Sequence, residues 1–266
     1  MEIDPNGGQR ARIHNIVLDQ GPPGRFDSNG VGYPFVTSLD DRRILLFVGW
    51  LRLAGPAPFR NDIAAALLDD DLKVCDRPAI PLLPPTPKEP FGSGSCCVMD
   101  TEKGPRLLYT SFNSWSQSSS GIAPNYELRS VLLNEAGNPE RKPDTVIPAS
   151  RNEYAISHPS TLTTQSGVLC AFTARGDRYR LFGAVSRDGS TWSRLPGQLE
   201  VPGGKYDGDM QCYPRLIEDD EGPQLFYSGD VYGRQTLLRA RWVGPPLSDV
   251  VAATLEEVRA IRQSAG

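Results

Sequence analysis

The feature that most constrains this chain is an internal repeat. Four segments share one grammar: a short strand, a charged turn, an apolar strand ending in an aromatic or small polar residue, and then a third strand. The first two strands run from Tyr33–Val36 to Ile44–Trp50, from Cys96–Met99 to Leu107–Phe112, from His158–Leu162 to Val168–Phe172, and from Tyr213–Ile217 to Gln224–Gly229. The third strands are Asp62–Leu67, Tyr126–Leu132, Arg180–Val185 and Thr236–Arg241. The segments open at positions 34, 96, 159 and 214, so they recur every 55 to 63 residues.

A period above 40 residues with three or four strands per unit is the signature of propeller blades, which bury one another's faces around a central axis. The expected fold is therefore all-β, a five-bladed β-propeller forming one domain over residues 1–266. Its fifth blade would be incomplete or composite, assembled from the strand around Ile13 to Leu18 and the chain near the end of the last repeat. Closure with four blades, and a β-sandwich whose periodicity is accidental, are the alternatives. With 26 Gly and 24 Pro spread between the apolar runs, these residues act as turn punctuation rather than as a low-complexity tract. Helical spacing is found at Val250, Val251, Leu255, Val258 and Ile261, so residues 247–263 are read as a C-terminal helix packed on the β domain, with Ser248 as its N-cap.

Composition removes several function classes. A net charge of -4 offers no whole-chain attraction for nucleic acid or an anionic membrane. The longest apolar stretches, such as Ile44 to Trp50, fall far short of the roughly 20 residues of a membrane helix, and the first residues lack a signal peptide's pattern, so a soluble, cytoplasmic protein is expected. Five cysteines without a CxxC pair and only two histidines, His14 and His158, suggest neither a disulfide framework nor a metal site. No Walker loop or dinucleotide fingerprint is present, and no cofactor is expected. The partner expected is a small molecule or saccharide, with no nucleic acid and no membrane.

Chemistry is expected where the innermost strands begin, because those ends gather at one mouth of the central channel. Acids recur there: Asp27 and Glu89 lie seven residues before the residue that opens their repeat, Glu153 six, and Asp207 and Asp209 seven and five. Converging carboxylates push their pKa values apart, so that one is ionised as base or nucleophile while another stays protonated as acid, as glycosidic cleavage requires. The competing reading is that each acid caps a turn through Asx-type hydrogen bonds. Arg175 offers a fork of donors for a hydroxyl, carboxylate or phosphate. His158 is a candidate site donor, Trp50, Trp115 and Tyr232 are candidate sugar-stacking aromatics, and Tyr213 is ambiguous between site and core. The run Ser186-Arg-Asp-Gly-Ser-Thr-Trp192 reads as a structural hairpin, and Ser114 to Gly121 as a flexible loop.

The order of Phe26-Asp-Ser-Asn-Gly-Val-Gly-Tyr-Pro34, Asn152-Glu-Tyr-Ala-Ile-Ser-His-Pro159, Arg175-Gly-Asp-Arg-Tyr-Arg180, Ser186–Trp192, Tyr206-Asp-Gly-Asp-Met-Gln-Cys-Tyr-Pro214 and Phe226-Tyr-Ser-Gly229 resembles the five-bladed propeller glycosidase superfamily. That group includes arabinanases, xylosidases, invertases, levansucrases and mannoside phosphorylases. The resemblance covers about Phe26 to Arg241. It implies a carbohydrate-active, glycoside hydrolase-like enzyme with Asp27 as base or nucleophile of the first blade, Glu153 as acid or pKa modulator, and Asp207 or Asp209 as the remaining acid. Glu89, Trp50, Trp115, His158, Arg175, Tyr213 and Tyr232 are the candidate substrate contacts. Two alternatives share the pocket: a transferase, lyase, cyclase or isomerase in small-molecule biosynthesis, and a non-catalytic sugar-binding propeller.

Overall fold

A computed structural model describes residues 18–118, 121–140, 143–201, 203–234 and 236–264. Four antiparallel sheets follow one another along the chain, each laid out in sequence order. The first contains β1 (Val31–Leu39), β2 (Arg42–Arg52), β3 (Phe59–Leu68) and β4 (Val74–Asp76). The second contains β5 (Ser93–Thr101), β6 (Gly104–Ser118), β7 (Gly121–Leu132) and β8 (Asp144–Ile147). The third contains β9 (Ala155–Thr164), β10 (Gly167–Arg175), β11 (Tyr179–Ser186) and β12 (Trp192–Arg194). The fourth has three strands, β13 (Cys212–Asp219), β14 (Gly222–Ser228) and β15 (Leu237–Arg241), with a short 3-10 turn at Val231–Gly233.

Each sheet is a blade, and the local chemistry of the repeat explains why. The first hairpin of every blade closes over two residues: Leu39 pairs with Arg42, Thr101 with Gly104, Thr164 with Gly167 and Asp219 with Gly222. Tight hairpins need positive φ in or just after the turn. Asp40 and Asp41 take it at the tip of the first blade's hairpin, and in the other three the glycine that follows the two tip residues, Gly104, Gly167 or Gly222, takes it. The period of two then sends neighbouring residues to opposite faces. Leu107 packs toward the first blade with Leu46 and Ile63, while Leu108 packs toward the third with Cys170 and Phe172. Leu169 joins the layer between the third and fourth blades with Leu216 and Tyr227. Apolar layers between blades thus form the core.

The first strands of the sheets pack against one another, β9 against β5 and β13, and β1 against β5, so they are the innermost. Each carries a register shift near its start. In three blades the residue at the shift precedes a proline and takes a left-handed backbone: Tyr33 at φ 51°, His158 at φ 54° and Tyr213 at φ 57°. Such a conformation is strained for bulky residues and persists only where the surroundings over-determine it.

The expectation of five blades is corrected: four are present among the described residues. After β15 the chain passes Pro245-Pro246, and its apolar spacing changes from two to the helical period, so it forms α1 (Leu247–Ser264) instead of another strand. Of the segment around Ile13 to Leu18, only Leu18 is described, and it packs on the first blade near Phe26 and Phe47. The helix seats Leu247, Val251 and Leu255 on the apolar layer of the third and fourth blades. Ser248 is not its N-cap, since it lies inside the helix with its hydroxyl toward Asp249, and the Pro246 carbonyl accepts from Asp249 and Val250 instead. The described part of the run Ser114 to Gly121 is no free loop either. It extends the β6–β7 hairpin, with Trp115 opposite Pro124 and Ser118 opposite Gly121. No helix among the described residues is long and apolar enough to cross a membrane.

Candidate functional site

The three left-handed residues bring their rings together at the inner ends of the blades. The His158 ring lies 4.6 Å from Tyr33 and 4.2 Å from Tyr213, and Tyr33 and Tyr213 lie 6.1 Å apart. Burial raises the phenols of Tyr33 and Tyr213 above their ordinary range. Burial also holds the His158 imidazole down to about 3, so the ring is neutral at pH 7. Its backbone N–H donates to Ser95 Oγ at 3.0 Å and to Thr110 Oγ1 at 3.3 Å in the second blade.

The second blade breaks the pattern. Where the others present an aromatic ring it has Gly94 and Ser95, and a cavity of about 430 Å³ opens over that gap. Its walls are Tyr33, Trp50, Phe59, Phe112, Tyr126, His158, Tyr179 and Tyr213, with Asn29, Asn61, Ser95, Thr110 and Ser157 as neutral polar groups. Trp50 stands edge-on to Tyr33 at 5.5 Å. Among the described residues the lining contains no carboxylate, and its one charged side chain is Arg52.

The expected gathering of acids in this cavity does not occur; each acid at a blade entrance is held elsewhere. Asp27 is fully buried, accepts from Arg77 Nε at 3.1 Å and Nη2 at 2.5 Å, and has Arg25 Nε 3.8 Å away. Glu89 accepts from the Tyr109 hydroxyl at 2.8 Å and pairs with Arg129 at 3.2 Å. Glu153 takes both guanidinium nitrogens of Arg194 at 2.7 Å and the Ser150 N–H at 3.0 Å. Burial alone would raise its carboxyl, but these bonds outweigh it and hold the group below its ordinary value. Glu153 faces a different hollow, beside Asn152, Arg178 and Arg180. Asp207 is buried and accepts from Tyr227 at 2.9 Å, Gln211 at 3.2 Å and the Gly204 N–H at 2.5 Å. Asp209 is exposed and pairs with Arg178 at 3.0 Å. The common element in the first four is a carboxylate that ties the loop ahead of a blade to that blade's own outer strands or flanking loop, whereas Asp209 reaches back to the third blade. Asp62, next to the lining residue Asn61, is also closed off: its side chain is 0% exposed and pairs with Arg60 at 2.8 Å.

Of the seven candidate substrate contacts, Trp50, His158 and Tyr213 line the cavity. Tyr232 stacks on Tyr213 at 6.1 Å and meets Tyr179 at 5.9 Å. Trp115 stands edge-on to Phe59 at 4.9 Å, behind the wall. Arg175 is also one layer back, its guanidinium over the rings of Tyr154 at 5.3 Å and Tyr179 at 4.9 Å. Glu89 lies away from the cavity in its ion pair. Sequence reasoning missed Asn29, Tyr33, Arg52, Phe59, Asn61, Ser95, Thr110, Tyr126 and Tyr179. For Tyr33 a signal was present: Tyr33-Pro34, His158-Pro159 and Tyr213-Pro214 are the same dipeptide position of the repeat. The hairpin at Ser186–Trp192 is structural, with Asp188 accepting from Ser190 and Thr191 and the Trp192 indole donating to the Gly189 carbonyl at 3.0 Å.

No family model matches the chain. It is 27% identical over 221 residues to an uncharacterized protein of Mycobacterium tuberculosis, in both the CDC 1551 and H37Rv strains, covering 82% of this chain and 73% of the relative. Among solved structures it is similar to an α-L-arabinofuranosidase from Lactobacillus brevis, with a TM-score of 0.65 at 11% identity over 86% of this chain and 78% of that one. An endo-arabinase from Bacteroides thetaiotaomicron matches with a TM-score of 0.60 at 12% identity, covering 85% and 80%. A structure from the GH130 family of mannoside phosphorylases, described as containing glycoside hydrolases that target β-1,2 mannosidic linkages, matches with a TM-score of 0.61 at 16% identity, covering 85% and 73%. The chain therefore has the propeller fold of these glycoside hydrolases, with four blades among its described residues.

Proposed function

We propose that this protein binds a saccharide or sugar-like polyol in the cavity at the inner ends of its blades, and that the cavity recognises rather than hydrolyses it. One observation carries the reading: the wall is built from aromatic rings interleaved with neutral amides and hydroxyls, and no described carboxylate lines it. Aromatic faces stack on the C–H faces of a sugar ring, while Asn and Ser/Thr groups pair with its hydroxyls without a charge to desolvate. Acid/base cleavage of a glycosidic bond needs two carboxyl groups flanking that bond, and this wall offers none.

The test is isothermal titration of the full chain with a panel of neutral and acidic monosaccharides and short oligosaccharides, alongside release assays on chromogenic glycosides. Binding without turnover, weakened at least tenfold by Trp50→Ala, supports the reading. Turnover that Asp27→Asn abolishes while the fold survives overturns it.

That second outcome is the glycoside hydrolase reading, in which Asp27, Glu153 and Asp207 or Asp209 act as base or nucleophile and acid. It draws on the likeness in fold to arabinanases and mannosidases. It requires the ion pairs of Asp27 and Glu153 to open when substrate binds. A transferase, lyase, cyclase or isomerase would show instead as conversion of the bound sugar without hydrolysis.

A further inference from the structure

We infer that the ligand of this cavity carries an anionic group, a carboxylate or a phosphate ester on the sugar, and that Arg52 holds it. The inference rests on the saccharide-binding reading above and specifies the class of sugar. Its basis is the distribution of charge. The arginines nearest the acids at the blade entrances and beside the cavity pair with those acids: Arg77 with Asp27, Arg129 with Glu89 and Glu127, Arg194 with Glu153, and Arg60 with Asp62. Arg52, exposed at the cavity's rim, is the one charged side chain of the described lining, and among the described residues its guanidinium has no ion pair or hydrogen-bond partner. Its backbone N–H is anchored by Asn29 Oδ1 at 2.9 Å, which fixes the end of β2 at the rim.

A second cation, Arg175, lies one layer back, its guanidinium over the ring of the cavity residue Tyr179 at 4.9 Å. With no carboxylate among the described lining residues, the cavity combines positive charge with no negative wall to offset it. Such a hollow disfavours a cation and attracts an anion.

The geometry also suits a sugar carrying that charge. Trp50 and Arg52 are two apart on β2 and so point to the same face, about 7 Å apart along the strand. This spacing is the reach from a ring stacked on an indole to an exocyclic anionic group plus one hydrogen bond. The planar guanidinium fork matches a carboxylate or phosphate with two parallel bonds, which a lysine ammonium does not reproduce.

The experiment is isothermal titration of the full chain with glucose, galactose, glucuronate, galacturonate and glucose 6-phosphate, at 50 mM and 500 mM NaCl, repeated with Arg52→Gln and Arg52→Lys. The expected result is an anionic sugar bound at least tenfold tighter than its neutral counterpart. That advantage should shrink in high salt, fall to near one in Arg52→Gln and be partly kept in Arg52→Lys. Uronates against the phosphate ester tell which anion is meant. Thermal unfolding of both variants checks that the rim is intact. Equal binding of neutral and anionic sugars overturns the inference and leaves saccharide binding standing. An anionic preference that survives Arg52→Gln in a folded variant overturns the role of Arg52. No binding of any sugar overturns both.

Discussion

The backbone N–H of Tyr213 donates to the hydroxyl of Thr173 in the preceding blade, 3.1 Å away. The same arrangement recurs one blade earlier, where His158 donates to Thr110. Thr110 and Thr173 each follow the aromatic residue of the second strand, Tyr109 and Phe172, so the repeat places a hydroxyl where the next blade's left-handed residue needs an acceptor. This cross-blade bond is one reason a strained backbone is kept beside the cavity.

Removing that acceptor should therefore cost both stability and site geometry. Thr173 is fully buried, so Thr173→Val leaves the Tyr213 N–H unpaired. The expected loss is about 1–3 kcal/mol in urea unfolding. Thr173→Ser should recover most of it, because the hydroxyl alone is the acceptor. Equal losses in Val and Ser would assign the effect to the methyl group's packing instead.

Stability and binding should separate at Asp27 and Trp50. Asp27→Ala strips a buried carboxylate from Arg77, with an expected cost of about 3 kcal/mol, while saccharide affinity changes by less than about twofold. Trp50→Ala should do the reverse, losing affinity with little change in unfolding midpoint, since Trp50 is only partly buried at the rim. Titration calorimetry and chemical denaturation on the same preparations check both.

Acid should weaken the fold before the carboxylates titrate. The His158 imidazole is held at about 3 by burial, against 6.5 when unfolded, so between those values the unfolded chain binds the extra proton. Its contribution is fully present above pH 6.5 and is lost as pH falls toward 3. Glu153 and Asp188, both held below their ordinary values, add their losses only below pH 4.5 and 3.8, their usual carboxylate values. In His158→Asn, which tolerates the left-handed backbone, the slope of stability between pH 4.5 and 6.5 should flatten. An unchanged slope would mean that His158 does not carry it.

Thiol chemistry should report the core directly. Cys75 is exposed, whereas Cys96, Cys97, Cys170 and Cys212 are buried. Burial pushes Cys97 up to about 11 and Cys212 to about 12. A colorimetric disulfide reagent at pH 7.5 should titrate one thiol per native chain and five in denaturant. Rapid reaction of more than one would show the blade interfaces opening.

How much of this was legible without coordinates differs from element to element. The hairpins of each repeat, and the switch to helical spacing after Pro246, follow from local rules: alternation at period two, two-residue turns and proline punctuation. The site was half legible. Trp50, His158 and Tyr213 were found from strand ends, whereas Tyr33, at the same dipeptide position, was passed over in favour of acids.

The sequence by itself determined the strands, their repeat and the placing of an acid ahead of each blade and an aromatic ring at the head of three. Tertiary structure alone decided which of these faces the cavity. The reason lies in distance along the chain: Asp27 meets Arg77 fifty residues later, and Glu153 meets Arg194 forty-one residues later. No local periodicity governs the direction of an irregular loop. The His158 and Tyr213 rings point inward because a register shift and a left-handed residue, held by a hydroxyl of the neighbouring blade, turn them there.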